Sequence, residues 1–211
     1  MTEPGIELAV RASRPRIRFT RHSNTVARHV YHFSEDPGIR RFTPHVPPTN
    51  PGHRPAVWAI DGRHAPLYWF PRDCPRVTAW PRTADEASAF RSVFLTDASR
   101  VHAIELDWLG RVRTTSLYRY AFDAADFEPW ADASGQWISE RALEPIEMTA
   151  VGDLLAAHAS ADIELRLCRS LWPLHDVAVL GPWDFSIARM GNAQPRAGRA
   201  SAPGPRITRG S

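Results

Sequence analysis

The sequence predicts an α+β domain built from short strands and a few short helices. Three observations carry that expectation. Short alternating or apolar runs follow one another in groups, not in regular β–α–β order, which argues against a doubly wound parallel sheet. Hydrophobic residues make up 43% and charged residues 23% of the 211 positions, the balance of a globular chain. Every aromatic residue except Phe19 lies between residues 30 and 188, a stretch that one hydrophobic core can serve.

Each element has its own signal. His29–Ser34 reads as a strand that ends at the turn Glu35-Asp36-Pro37-Gly38. Residues 43–55 hold five prolines and are expected to run as an extended surface loop. Residues 56–60 form a short apolar strand, residues 64–70 one or two helical turns despite Pro66, and residues 77–80 another strand. Thr83 with Glu86 is a capping box that opens an alanine-rich helix to about Phe94. Residues 101–108 and 111–122 both alternate, and the short link Leu109-Gly110 predicts a hairpin between them. Strands are expected at 136–139, 145–149 and 163–167, and helices at 152–160 and 171–180.

Charge divides the chain into three parts. All 26 basic side chains are arginine, and the formal net charge is +3. Residues 1–29 carry six arginines against two acids, and residues 189–211 carry five arginines and no acid. Residues 30–188 hold 15 arginines and 21 acids, so the pI near 9.3 belongs to the ends and the body is mildly acidic. The organisation expected is a basic disordered extension at 1–29, one α+β domain at 30–190, and a disordered Arg/Pro/Gly/Ala tail at 191–211. An overlong start is the alternative account of the first 29 residues.

Composition also narrows the function. Two cysteines, Cys74 and Cys168, allow neither a disulfide scaffold nor a four-cysteine zinc site, and fit a reducing cytoplasm. No apolar run reaches 18 residues and none follows the basic N-terminus, so neither a membrane span nor a signal peptide is expected. The ends lack the interleaved aromatics of a single-strand platform, so nucleic acid is not expected as a partner. Gly-x-Gly-x-x-Gly, Walker and Gly-x-Ser-x-Gly patterns are absent. His29 and His32 fall on opposite faces of one strand, and no metal is expected. In Arg72-Asp73-Cys74-Pro75-Arg76 the two guanidiniums suit an anion, the alternative being a salt bridge to Asp73 or another acid. Cys74 between them reads as a turn residue.

Three further segments stand out: Tyr31-His32-Phe33-Ser34, Val57-Trp58-Ala59-Ile60-Asp61 followed by Tyr68-Trp69, and Gln136-Trp137-Ile138-Ser139-Glu140. Core packing or a solvated strand end would explain each one singly. Together, with residues 31–37 and 66–77, they resemble a family of uncharacterised bacterial proteins over residues 31 to about 192. At a greater distance the layout resembles the ADP-ribosyltransferase fold, a short-stranded split sheet. Members of that fold often begin with a Tyr-His strand, such as the Tyr-His-Gly-Thr of the rifampin-modifying enzymes. Here Tyr31-His32, Val57-Trp58-Ala59 and Ser139-Glu140 stand at the matching places. Phe33-Ser34 replaces Gly-Thr, Trp58 replaces a tyrosine, and Ile138 stands where an acid or glutamine is usual.

The resemblance implies NAD or a related nucleotide as ligand, and cleavage of the ribose–nicotinamide bond, with the acceptor unidentified. It implies His32 and Glu140 as the catalytic pair, His32 on the adenosine-side ribose and Glu140 on the nicotinamide ribose. Tyr31 and Ser34 flank the histidine, Trp58 and Tyr68 stack nicotinamide, and Arg72 contacts the pyrophosphate. A non-catalytic nucleotide-binding or interaction module is the alternative, with a nucleotide or another small molecule as partner.

Overall fold

Among the residues that the computed structural model describes (9–10, 29–47, 52–131 and 133–196), eleven strands divide between two open sheets. The first sheet has the order β1 (Ala9–Val10), β11 (Asp184–Ala188), β4 (Arg76–Trp80), β5 (Arg100–Glu105), β10 (Ile163–Cys168). The second has the order β7 (Glu128–Pro129), β8 (Gln136–Ser139), β3 (Val57–Asp61), β2 (His29–Ser34), β6 (Tyr118–Asp123), β9 (Glu147–Ala150). Four helices accompany them: α1 (Ala84–Phe94), α2 (Leu109–Thr114), α3 (Leu154–Ser160) and α4 (Trp172–Leu180). The architecture is mixed α and β. All pairings are antiparallel except β5 with β10. A parallel pair needs a long crossover. The chain makes it by leaving the first sheet after β5, building β6 to β9 in the second, and returning through α3.

The expected hairpin at Leu109-Gly110 does not form. Residues 109–114 are helical, and β5 and β6 belong to different sheets. Trp108 and Val112 are four apart, so a helix brings both to the cluster of Phe70, Ile104, Leu117 and Leu154. Alternation alone did not distinguish that spacing from a strand. The capping box forms: Thr83 Oγ1 accepts from Glu86 N at 3.2 Å, while the Glu86 carboxylate accepts from Arg82 N at 2.9 Å. At the entry to β8, Gly135 has φ +77°, and a Cβ there would stand 2.2 Å from His64 Nδ1. Only glycine fits that turn.

Three apolar clusters hold the sheets. One lies where α1 and α4 cover the first sheet, around Phe90, Phe94, Trp183 and Phe185. A second packs Val30, Phe42, Ala59, Tyr120 and Phe122 of the second sheet and its loop. The third joins the sheets, with Phe33 from β2 reaching Phe70, Ile104 and Leu117. Truncating Phe90 or Phe94 to alanine, both at 1% exposure or less, is the kind of change that costs about 3–5 kcal/mol.

Residues 191–196, placed in the tail by composition, contact the domain. Gln194 N donates to the buried Glu105 carboxylate at 2.9 Å, and its carbonyl accepts from Trp172 Nε1 at 2.8 Å. The remaining tail and extension, residues 197–211, 1–8 and 11–28, lie outside the described residues, as do 48–51 of the proline-rich loop. No helix among the described residues is long and apolar enough to cross a membrane.

The interior between β5 and α3 contains a histidine pair. His158 Nδ1 donates to Leu154 O at 2.7 Å, so its Nε2 is the acceptor facing His102 Nδ1 at 3.1 Å. His102 Nδ1 therefore carries a proton, and its buried Nε2 has no partner among the described residues. Burial lowers the pKa of both rings, with the neighbouring His158 a lesser cause for His102. A folded-state pKa below the unfolded value near 6.5 makes the unfolded chain bind more protons. Stability present above that pH is lost as pH falls through and below it. The thermal unfolding midpoint should therefore drop between pH 7.5 and pH 5. The double substitution His102→Leu/His158→Leu should flatten that part of the profile, whatever it does to the absolute midpoint.

Candidate functional site

The turn after β2 is built by local hydrogen bonds. Asp36 N donates to Ser34 Oγ at 3.1 Å, and Gly38 N to Asp36 Oδ1 at 2.7 Å. Tyr120 Oη donates to Asp36 O at 2.6 Å, tying the turn to β6. This arrangement projects Glu35 toward the segment before β4. Glu35 Oε1 accepts from Arg72 N at 2.7 Å, and Oε2 lies 3.9 Å from Arg111 Nη2. On the other side, Arg189 Nε donates to Arg72 O at 3.2 Å, and Asn192 Nδ2 to Asp73 O at 2.8 Å. Residues 72–73 are thus clasped between the end of β2 and the end of β11.

A cleft of about 230 Å³ lies at this junction of the two sheets. It is lined by His32, Phe33, Ser34, Glu35, Tyr68, Phe70, Arg72, Arg76, Leu117, Ala188 and Arg189. Four of the seven residues singled out from sequence meet here: His32, Ser34, Tyr68 and Arg72. His32 Nδ1 donates to Trp58 O at 2.9 Å, which leaves Nε2 as a bare acceptor with no partner among the described residues. Burial, opposed by that hydrogen bond and aided by Arg72 and His45, lowers the His32 pKa and keeps the ring neutral. The Tyr68 ring lies nearly parallel to Phe33, with centroids 6.2 Å apart, and its hydroxyl accepts from Gln136 Nε2 at 3.2 Å. Burial raises the Tyr68 pKa, so it stays a phenol. Arg189 adopts φ 57°, a left-handed conformation that costs a side-chain-bearing residue about 1–3 kcal/mol.

The other three lie elsewhere. Tyr31 stacks under the Arg119 guanidinium, 5.1 Å from its ring centroid. The Trp58 indole packs with His53 and Trp130, at centroid distances of 4.8 and 5.6 Å. Glu140, 55% exposed, pairs with Arg54 Nη1 at 2.5 Å. None of the three lines the cleft.

Two cleft residues had only partial sequence signals and one had none. Arg76 belongs to the arginine pair around Cys74, and Glu35 to the turn after the Tyr-His strand. Arg189 follows β11, a strand whose pattern is too short to separate from the segment before the tail. Cys74 is buried and its thiol is pushed up to about 12 by burial, despite nearby Arg76 and Arg111.

All the cleft residues fall within the residues 31–193 that match one family model. The chain belongs to DUF6886, a family of unknown function. No curated protein and no solved structure matches it.

A thiol held at that pKa is not a nucleophile at neutral pH. Alkylation of the native protein with iodoacetamide at pH 8, read by mass spectrometry, should leave Cys74 unmodified until denaturant is added. Rapid native modification of Cys74 would show that the turn opens.

Proposed function

We propose that this DUF6886 protein binds a nucleotide in the cleft between its sheets, with NAD the first candidate. The observation that carries this reading is the convergence of His32, Ser34, Tyr68 and Arg72 on one cleft from separate segments of the chain. The neutral His32 ring offers Nε2 to a ribose hydroxyl. Phe33, Phe70 and Leu117 supply apolar wall, and Arg72 extends a guanidinium at the rim. The cleft volume is smaller than the roughly 300–1,000 Å³ of pockets for drug-sized ligands. It suits a phosphoribosyl-sized portion, with the rest of a dinucleotide lying over the surface.

A second reading adds turnover, and Glu35 in the cleft lining favours it. Cleavage of NAD breaks the bond between ribose C1′ and the nicotinamide nitrogen. The bonding electrons leave with nicotinamide, and the sugar becomes oxocarbenium-like. With water as acceptor, the products are ADP-ribose, nicotinamide and a proton. A carboxylate near C1′ stabilises the transition state. Glu35 lines the cleft, whereas Glu140 would have to leave Arg54 to take part.

Titration of the protein with NAD and ADP-ribose by calorimetry, with nicotinamide release followed in parallel, tests both readings. His32→Ala should weaken binding about three- to tenfold, the loss of one hydrogen bond. Nicotinamide release that falls about 10²-fold in Glu35→Gln would support turnover at the cleft, and a fall of that size only in Glu140→Gln would assign it to Glu140. Binding without release leaves a nucleotide-binding module. Failure of the wild type to bind either ligand overturns the reading.

A further inference from the structure

Arg76 opens β4 at 8% exposure and lines the cleft. Its Nε donates to Leu67 O and its Nη1 to Cys74 O, both at 3.1 Å. Its guanidinium carbon lies 5.4 Å from the Phe70 ring centroid and 6.0 Å from that of Tyr68. The salt bridge left open by the sequence is not met: Arg76 makes no ion pair with Asp73 or with any other carboxylate among the described residues. Nη2 has no hydrogen-bond partner among them either.

A cation so deeply buried is ordinarily paired. Two carbonyls and two aromatic faces supply partial compensation, and the positive charge stays unneutralised. Arg72 lines the same cleft, and its guanidinium likewise has no carboxylate partner among the described residues. The Glu35 carboxylate is directed to the Arg72 backbone N–H and not to its side chain. Burial works against the charged form of Arg76, and the proximity of Arg189 adds to that, so an arriving anion would relieve both.

We propose that Arg76, with Arg72 at the rim, forms a subsite for a phosphate or diphosphate group. It rests on the nucleotide reading and deepens it by naming the part of the ligand that the cleft holds. The planar guanidinium, fixed by Leu67 and Cys74, presents its remaining N–H edge to phosphoryl oxygens, the geometry for which arginine is suited. Ligands with a phosphate or diphosphate should bind, and the same nucleoside without one should not.

The experiment is calorimetric titration of the full chain with inorganic pyrophosphate, ADP-ribose and adenosine. Wild type should bind pyrophosphate and ADP-ribose but not adenosine. Arg76→Met keeps the apolar stem and removes the charge, and should weaken both phosphate ligands about 30-fold or more. Arg72→Ala should weaken them about fivefold, and Arg169→Met, at an exposed position outside the cleft, should change nothing. If Arg76→Met does not fold, Arg72→Ala decides the matter, since unchanged affinity there overturns the subsite. Absence of pyrophosphate binding in wild type overturns it too, as does Arg76→Met binding with wild-type affinity. Adenosine binding as tightly as ADP-ribose would sink the subsite and leave a nucleoside site. Arg76-dependent binding of pyrophosphate alone would keep the subsite and remove the nucleotide reading.

Discussion

The buried guanidinium of Arg76 is the constraint around which the cleft is organised. Taking a cation from water costs several kcal/mol unless new partners replace the lost hydration. Arg76 finds two of them on the chain just before it, at Leu67 O and Cys74 O. Those bonds pin the segment between β3 and β4 against the first residue of β4. The 3-10 turn at Ala65–Tyr68, with Pro66 at its start, sets Leu67 in position, and the Pro71 carbonyl accepts from Cys74 N at 3.0 Å to close the following turn. Phe70 and Tyr68 then flank the guanidinium plane. Without that charge the segment would lose two of the hydrogen bonds that hold it to β4, beside those that Glu35, Arg189 and Asn192 make to residues 72–73.

Trp58 shows how a residue can serve a site without its side chain. Its carbonyl fixes His32 Nδ1–H and thereby the tautomer and orientation of the ring. Its indole packs with His53 and Trp130, with Nε1 buried and unpartnered among the described residues. Substitutions at Trp58 would therefore disturb that aromatic cluster directly and His32 only through the backbone. Glu140 is tied by Arg54, which also holds Glu128 at 2.6 Å. The chain thus has an aromatic and ion-paired cluster at the β8 end of the second sheet and a basic cleft where β2 meets the first sheet.

Local signals were legible where one residue type has one job. The capping box located α1, the Pro-Gly turn ended β2, and the alternation at 163–167 gave β10. Alternation misled at residues 109–114, because Trp108 and Val112 satisfy a helical face while Arg111 and Arg113 mimic a strand's polar side. Assignment of strands to sheets was illegible, since the partners of β5 lie at residues 76–79 and 163–168 and nothing local records them. The same limit applied to the site. His32 and Tyr68 could be singled out as unusual, but only the fold determines that the Trp58 and Glu140 side chains go elsewhere. Arg189 reaches the cleft through a single left-handed residue at the end of β11, which no pattern in the neighbouring sequence signals.

Net charge conceals the character of the cleft. Residues 30–188 carry more acids than arginines, yet the cleft lining contains three arginines and one carboxylate among its described members. Several acids are paired elsewhere: Glu86 on Arg82, Glu164 on Arg166, Asp126 on Arg141, Glu144 on Arg41. The exposed pairs among them, Glu144 with Arg41 and Asp126 with Arg141, add little stability, about 0–1 kcal/mol each, but they remove carboxylates from competition for the interior cation. Inside the cleft the effective dielectric is lower than in water, so the same unit charge acts more strongly on what enters. The desolvation of Arg76 has already been met in folding, and its side chain is held before any ligand arrives. An anion would therefore meet a fixed donor and leave behind only its own hydration, which is the energetic condition for a small, preorganised site.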